Sequence, residues 1–594
     1  GVSGSAFDRR HGFAVATAAN ERIDVIIGDW MSEGNMVSTS QRKLDRAGDF
    51  GYEKSFLSSI EASLSAISRK GIKVVVNAGA SDPEALAVAL DSVIRDQQLP
   101  LQTAWVSGDE VLHPLQEALK KGESALLDIR SYEKLPSLPQ DTVYAQAYLG
   151  AGGIAKGLQL GADIIICGRV ADASLVIGAA IWWHNWTPNQ HQELASALVT
   201  GHLIECSTYI TGGNFSGFKS LPESFDPGFP VAEVDQSGGA IITKLDGSGG
   251  CVTEDTVTAQ LLYEIQGPLY YNSDVTAKLH DITLRTVGQN RVQVLGVSGS
   301  PPPPTTKVGI TTKRYYKAEL HWSLVGLDIE AKANLLKQNI LSGLGKAAIS
   351  NLSLLHFDTY GVAEDNPKSQ NAATVDFRVF AQAPLREQLS PENFMQPILD
   401  VIMSSYPGAT PQPAITSGLP QPYSEYNVAL MPQNVLEHST HFNGEVYKIA
   451  PPLDTFTYPP LQESYDPANP VDLETFGDTV MGPLGWIIHG RSGDKGPNAN
   501  VGLWARDEEE YSWLRSILTI SYFKEILGAE YKTGERIERV EFHGLHAVHF
   551  LLHNHLDRGI NSTSTYDILG KNVAEYIRAR HVPLPRKFLE RGRI

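Results

Sequence analysis

Cysteine is scarce in this chain. Its 594 residues hold three, Cys167, Cys206 and Cys251. They are far apart and odd in number, which argues against a disulfide framework and against a CxxC metal site. A reducing, cytoplasmic compartment is the expectation. Long apolar runs are also missing, so no segment is expected to span a membrane. Residues 1–10 carry no apolar h-region, and no secretory signal is expected there. Positive charge is in deficit: 49 Lys and Arg face 67 Asp and Glu, for a net charge of −18. That balance argues against nucleic acid as a partner, because sequence-independent binding needs basic surface. Several fingerprints are absent too. There is no GxxxxGK[ST] and no GxSxG, and Gly150-Ala-Gly-Gly153 lacks the GxGxxG spacing of a dinucleotide site.

What is present reads as a large folded protein. The hydrophobic fraction is 42%, and the length calls for roughly two to four domains. In the first third, short apolar runs at 23–27, 73–76, 101–106 and 164–166 alternate with helix-like stretches. Asp82-Pro-Glu84 reads as a helix start with proline at its first position. Residues 144–160 read as a helix closed by Gly161. This pattern predicts a parallel α/β sheet domain.

The middle region, about 231–450, reads as α+β. Alternating residues from Ala318 to Leu324 predict a half-buried strand, and helices are expected over 331–348 and 391–405. Prolines crowd 450–470, so a linker is placed at 451–479. From about 480 a small ferredoxin-like domain is expected, with helices near 508–518, 521–527 and 564–578 and a strand at 537–542. The domain division is therefore 20–450, with subdomains 20–230 and 231–450, then the linker, then 480–594.

The chemistry concentrates in His489-Gly-Arg-Ser-Gly-Asp-Lys-Gly-Pro-Asn-Ala-Asn500. A guanidinium, a hydroxyl, a carboxylate, an ammonium and two amides are spaced by glycines. As a loop, such a segment can turn backbone N–H groups toward an anion, with Arg491 and Lys495 adding charge. Asn498 and Asn500 are candidate substrate contacts, and Ser492 and Asp494 candidate catalytic groups. Ligands of open parallel sheets bind outside the carboxyl ends of the strands. Asp29, Glu33, Asn77, Arg169 and Asp172 follow such ends here, with Asp172 also a candidate helix cap. Asn214, in Thr211-Gly-Gly-Asn214, is a further candidate at the same cleft. His543, His546, His549, His553 and His555 crowd one segment. On a helix, His546, His549 and His553 would share a face, but the apolar residues between them favour packing. No metal and no cofactor is expected.

Three motifs together resemble the acyclic terpene utilisation proteins of the AtuA type. They are Gly28-Asp-Trp-Met-Ser-Glu33, Leu149-Gly-Ala-Gly-Gly-Ile154 with Gly161-Ala-Asp-Ile-Ile-Ile-Cys-Gly-Arg-Val-Ala-Asp172, and Gly490-Arg-Ser-Gly-Asp-Lys-Gly496. Leu261-Leu-Tyr-Glu-Ile-Gln-Gly-Pro268 and Asp274-Val275 fit the middle region of that family. The resemblance implies an N-terminal AtuA domain and a C-terminal AtuA-like ferredoxin-fold domain. It also implies a role around branched acyclic terpenoid acids carried as coenzyme A esters.

Two classes of function follow. One is an enzyme on a branched acyl-CoA or related terpenoid or polyketide carboxylic substrate. C–C lyase chemistry through an enolate fits first, with a thioester hydrolase, isomerase or cyclase as alternatives. Asp29 or Asp494 would take a proton, while Arg169, Arg491 and Lys495 would hold the anion. The other class is a non-catalytic ligand-binding or scaffold subunit. The expected partner is a small molecule, and a homo-oligomer is expected.

Overall fold

The computed structural model describes every residue except 46–49, 123–125, 130–131 and 223–225. Four short strands form the N-terminal sheet in the order Val25–Gly28, Lys73–Val76, Ile164–Cys167 and Thr103–Ser107, all parallel. Ser439–Phe442 extends the sheet antiparallel to Thr103–Ser107, and Glu445–Lys448 lies at the edge. The sequence runs Val-Ile-Ile, Val-Val-Val and Ile-Ile-Ile are apolar throughout because helices cover both faces. Ile164–Cys167 is buried along its whole length. Pro83–Asp96 is a helix with proline at its start; Asp82 holds the N-cap position without a side-chain cap bond.

Residues 144–160 do not form one helix. Thr142–Ala147 is a strand, in a sheet with Thr305–Thr312, Tyr426–Pro432 and Leu127–Asp128. The helix is Gly152–Gln159, closed by Gly161 at φ 102°. Residues 144–147 are buried in succession, and pairing to a neighbouring strand overrides their helical reading. Helix His191–Glu205 is buried almost continuously from Leu194 to Glu205.

By internal packing the chain forms two compact units. One comprises Gly1–Thr311, Tyr426–Ile560 and Asp567–Ile594. The other comprises Thr312–Glu425 and Asn561–Tyr566. The second unit is built on the antiparallel strands Leu354–Tyr360, Thr374–Ala383 and Tyr315–Val325, covered by helix Ile329–Ser350. Strand Tyr315–Val325 alternates buried and half-buried residues as its sequence predicts, with Trp322 fully buried. Residues 391–405 form only short, irregular turns of helix. Pro391 and Pro397 each remove a backbone donor there.

The C-terminal part of the first unit is a four-stranded antiparallel sheet, ordered His489–Lys495, Asn498–Trp504, Ala547–Leu552, Ile537–Phe542. Helices Glu508–Ile517 and Ile520–Leu527 connect its second and third strands in sequence, and Asn572–Ala579 follows. That last helix begins later than the 564–578 pattern indicates. Val501, Leu503, Val548 and Phe550 share one core with these helices. Trp504, Val540, Phe542 and Ala547, on the opposite face, enter a core that also holds Val75, Ile165 and Leu262. The two ends of the chain therefore share apolar packing. Among the described residues, no helix is long and apolar enough to cross a membrane.

Candidate functional site

The carboxyl rim of the parallel sheet gathers the first set of polar groups. Asp29 follows Val25–Gly28 and is 5% exposed. Its Oδ1 accepts from Asn77 Nδ2 at 2.6 Å and from Met31 N at 2.8 Å. Asn77 Oδ1 in turn accepts from Trp30 N at 2.7 Å. Asn77 thus locks the first two strand ends together. Arg169 and Asp172 follow Ile164–Cys167. Asp109, after Thr103–Ser107, accepts from Arg169 N at 2.8 Å and from Gln146 Nε2 at 2.8 Å. The Arg169 guanidinium is buried, pairs with the Asp172 carboxylate, and lies 4.0 Å over the Tyr148 ring. Asp172 faces Arg169 instead of capping helix Ser174–His184, whose N-cap position is Ala173.

Helix His191–Glu205 delivers Glu205 to the same place. One carboxylate oxygen from each of Asp29, Asp172 and Glu205 lies within 4.8 Å of the other two. Sequence patterns do not single out Glu205. Its signal is a charged residue at the end of a helix turn that is otherwise buried and largely apolar.

The second set comes from the C-terminal motif, which is a hairpin and not an open loop. His489–Lys495 pairs with Asn498–Trp504 through a turn at Gly496, φ 61°. As the edge strand, His489–Lys495 turns alternate N–H groups into the ladder with Asn498–Trp504, and Gly490 N, on the other side, donates to Ser216 Oγ at 3.3 Å. Strand alternation divides the motif. His489, Arg491, Gly493 and Lys495 share a face with Asn498, Asn500, Gly502 and Trp504. Gly493 and Gly502 are required by close approach: added Cβ atoms would lie 2.1 Å from the Tyr263 ring and 2.7 Å from Leu262. Arg491 is sandwiched between Tyr209 and Tyr263, its Cζ 4.5 and 4.2 Å from the two rings. Its Nη1 donates to Asn214 O at 3.1 Å, while Nη2 is buried without a partner. Lys571 donates to Tyr209 Oη at 2.6 Å beside it. Lys495 donates to Glu264 at 2.9 Å. Asn500 is fully buried; its Oδ1 accepts from Glu264 N at 3.0 Å and its Nδ2 donates to Leu262 O.

Ser492 and Asn498 do not join these groups. Ser492 Oγ accepts from Ala574 N at 3.0 Å, and that is its hydrogen bond. Among the described residues no histidine or carboxylate bonds to it, and its partner is a backbone N–H. Asn498 Oδ1 accepts from Asn554 N at 3.1 Å, which fixes the end of the hairpin. Asp494 is buried on the Ser492 face at the end of its strand, within the fields of Glu264 and Glu33. The histidine face also does not arise. His549 lies in strand Ala547–Leu552, while His543 and His546 sit in the preceding turn.

Electrostatics divide the acids into two classes. Burial, and then the charges of Asp172 and Glu205, push Asp29 well above the usual carboxylate range. Burial, then Asp172, does the same to Glu205. Burial, then Glu264 and Glu33, raises Asp494. Burial is the largest single influence on Asp172 and Glu264 and works to raise both, but Arg169, Lys495 and Lys307 together outweigh it at Asp172, and Lys495 with the Tyr263 hydroxyl at Glu264, so both are held low. Lys307, on strand Thr305–Thr312, is lowered to about 8, first by burial and then by the charge of Lys495. His202 is lowered to about 4 by burial; its Nε2 lies 3.0 Å from Gln260 O, as a neutral ring donating to that carbonyl would. Lys307, Glu205, Glu264, Tyr209 and Tyr263 are the groups that sequence reasoning passed over. Tyr263 and Glu264 lie in the segment Leu261–Pro268 that fits the middle region of the resembled family, but the sequence pattern assigns them no role.

A family model described as acyclic terpene utilisation family protein AtuA matches residues 1–442. A second, described as the AtuA ferredoxin-like domain, matches residues 482–583. No curated protein and no solved structure matches the chain.

Proposed function

This chain belongs to the acyclic terpene utilisation AtuA family, and from that premise we propose that it is an enzyme cleaving a C–C bond in a branched 3-hydroxyacyl thioester or a related terpenoid or polyketide acid. The observation that carries this reading is the division of one buried polar network into acids with raised and lowered proton affinity, beside a guanidinium with a free donor. Groups whose environments push their pKa values apart are suited to acid and base roles.

In the reaction, a raised carboxylate, Asp29 or Asp494, takes the proton of the 3-hydroxyl. The C2–C3 bond breaks, C3 leaves as a carbonyl compound, and its electron pair becomes the enolate of the remaining thioester. Lys495 is committed to Glu264, and Arg169 to Asp172. Arg491, with Nη2 free, is therefore the cation assigned to the enolate or carboxylate oxygen. Lys307 returns a proton to C2. Tyr209 and Tyr263 hold the Arg491 plane fixed, so little reorganisation is needed as charge develops.

The test is incubation of the purified protein with branched 3-hydroxyacyl-CoA esters, following free thiol and mass together. Lyase chemistry splits the mass and leaves the thioester intact. Thiol release without a split would establish a hydrolase, and binding without either would establish a ligand-binding protein. Arg491→Ala should lower turnover by about 100-fold or more, the usual loss for one oxyanion donor. A wild-type rate in that variant would remove Arg491 from the mechanism.

A further inference from the structure

Asp29, Asp172 and Glu205 present a difficulty that their neighbours do not solve. Three carboxylates converge within 4.8 Å, and a single guanidinium, that of Arg169, pairs directly with them. Like charges this close repel strongly away from water. Convergence alone would be weak evidence, because acids gather in many clefts. Glu205 supplies a separate observation. It is 3% exposed, its carboxylate accepts no hydrogen bond, and its Oε2 is completely buried and without a partner. The His202 ring stands close by, but its Nδ1 is 3.7 Å from Oε1 and, in a neutral ring that donates from Nε2, carries no proton to give. A buried carboxylate oxygen without a partner costs several kcal/mol as a rule. Such an atom points to a group that completes it.

The rest of the donor set has the same character. Asp29 spends Oδ1 on Asn77 and Met31, and its Oδ2 accepts no hydrogen bond from the described residues. Asp172 gives one oxygen to Arg169, which fixes its orientation as outer partners of metal ligands do. One oxygen of each acid thus remains for a shared partner. All three donors are hard oxygens, and no thiolate belongs to the set. Oxygens around one cation are separated by at most twice the bond length, about 4.2 Å for Mg²⁺ and up to about 5 Å for Ca²⁺.

We propose that Asp29, Asp172 and Glu205 bind one hard divalent cation, Mg²⁺, Mn²⁺ or Ca²⁺, at the carboxyl rim of the parallel sheet. Three protein oxygens leave coordination positions for water or for a substrate oxygen. Within the lyase reading above, the cation takes Asp29 as a ligand and leaves proton removal to Asp494. Cation binding itself does not depend on that reading, and its test uses no substrate. Asp29 and Asp172 are legible as strand-end residues, but no spacing in the chain joins them to Glu205, which arrives from a distant helix end.

The experiment is titration of the metal-free full-length protein with Mn²⁺, followed by electron paramagnetic resonance. One Mn²⁺ per chain should bind saturably below about 1 mM, and Mg²⁺ or Ca²⁺ should displace it. Glu205→Gln keeps shape and should weaken binding at least about 10-fold. Circular dichroism of that variant checks that it folds. Absence of saturable Mn²⁺ binding to the wild-type protein overturns the proposal without recourse to any variant. So does unchanged affinity in folded Glu205→Gln. If Mn²⁺ binds but no acyl-CoA ester is turned over, the cation site stands and the lyase reading falls.

Discussion

Asn500→Ala tests how the C-terminal hairpin is held to the rest of the site. Asn500 is fully buried and bridges the hairpin to the turn at 262–264. Truncation leaves two buried backbone groups unpaired, Glu264 N–H and Leu262 C=O. It also removes the contact between Nδ2 and His549 Nε2 at 3.2 Å. Each orphaned buried group costs about 1–3 kcal/mol, so the gross loss is roughly 2–6 kcal/mol. Local relaxation reduces that to about 3 kcal/mol, which for a chain of this length is a fall in Tm of about 2–3 °C. Asn498→Ala is the internal control. It lies on the same strand but accepts one bond, from Asn554 N, and should cost about 1 kcal/mol. Differential scanning calorimetry of both variants decides the matter. If Asn500→Ala melts with Asn498→Ala, the hairpin is held by its apolar face alone and the bridging argument is wrong. Turnover should fall too in Asn500→Ala, because Glu264, at φ 61°, loses the bond that positions it beside Lys495.

Gly493→Ala should destabilise by about 1–3 kcal/mol, the usual cost of overpacking. Its Cβ would displace the Tyr263 ring, so ligand affinity should fall even in the folded fraction, as calorimetric titration would show. The pH profile of kcat/KM should be bell-shaped. The base must be deprotonated, so the lower limb lies above the usual carboxylate range, since burial and the charges of Glu264 and Glu33 raise Asp494. The proton donor must be charged, so the upper limb falls near pH 8, where Lys307 titrates. Lys307→Arg should move that upper limb, and an unmoved limb would take Lys307 out of the chemistry. Limited proteolysis should cut near Leu453, which is 97% exposed. The nicked halves should still co-elute in size exclusion, because one core holds Val75 and Trp504 together; separation of the halves would contradict that shared core.

The rim of the site was legible because short apolar runs ending in polar residues mark the carboxyl ends of parallel strands. Asp29, Asn77, Arg169 and Asp172 were all reached in this way. The C-terminal motif reads in sequence as a polar, glycine-spaced loop, whereas its residues pair as a hairpin. Glycine answers two different needs, positive φ and close approach, and a sequence does not distinguish them. Only Gly496 in the hairpin serves the first. Gly493 and Gly502 serve the second, making room for Tyr263 and Leu262. Thr142–Ala147 was misread for a related reason: its strand character comes from pairing with Thr305–Thr312, a partner distant in sequence. Lys307 on that partner was invisible on the same grounds. A lone lysine in a Thr-rich run has an ordinary reading until the fold half-buries it within the fields of Arg169 and Lys495.

Alternation along the hairpin also explains why both ends of the chain are needed. Arg491 and Lys495 are two steps of the strand period apart, so both must face the 262–264 turn together. A one-residue slip in register would turn Ser492 and Asp494 toward Tyr263 and leave Glu264 without its ammonium. Asn500, opposite Gly493, fixes that register from the partner strand by bonds to Leu262 and Glu264. The rim of the parallel sheet concentrates carboxylates, and among the described residues Arg169 is the cation paired directly with one of them, Asp172. The hairpin adds Lys495, which holds Glu264 and lowers Asp172, and Arg491 with its free donor. Without the hairpin, Asp172 would lose part of the positive field that keeps it ionised. The N-terminal rim would then be a set of acids competing for protons instead of a set divided between acid and base.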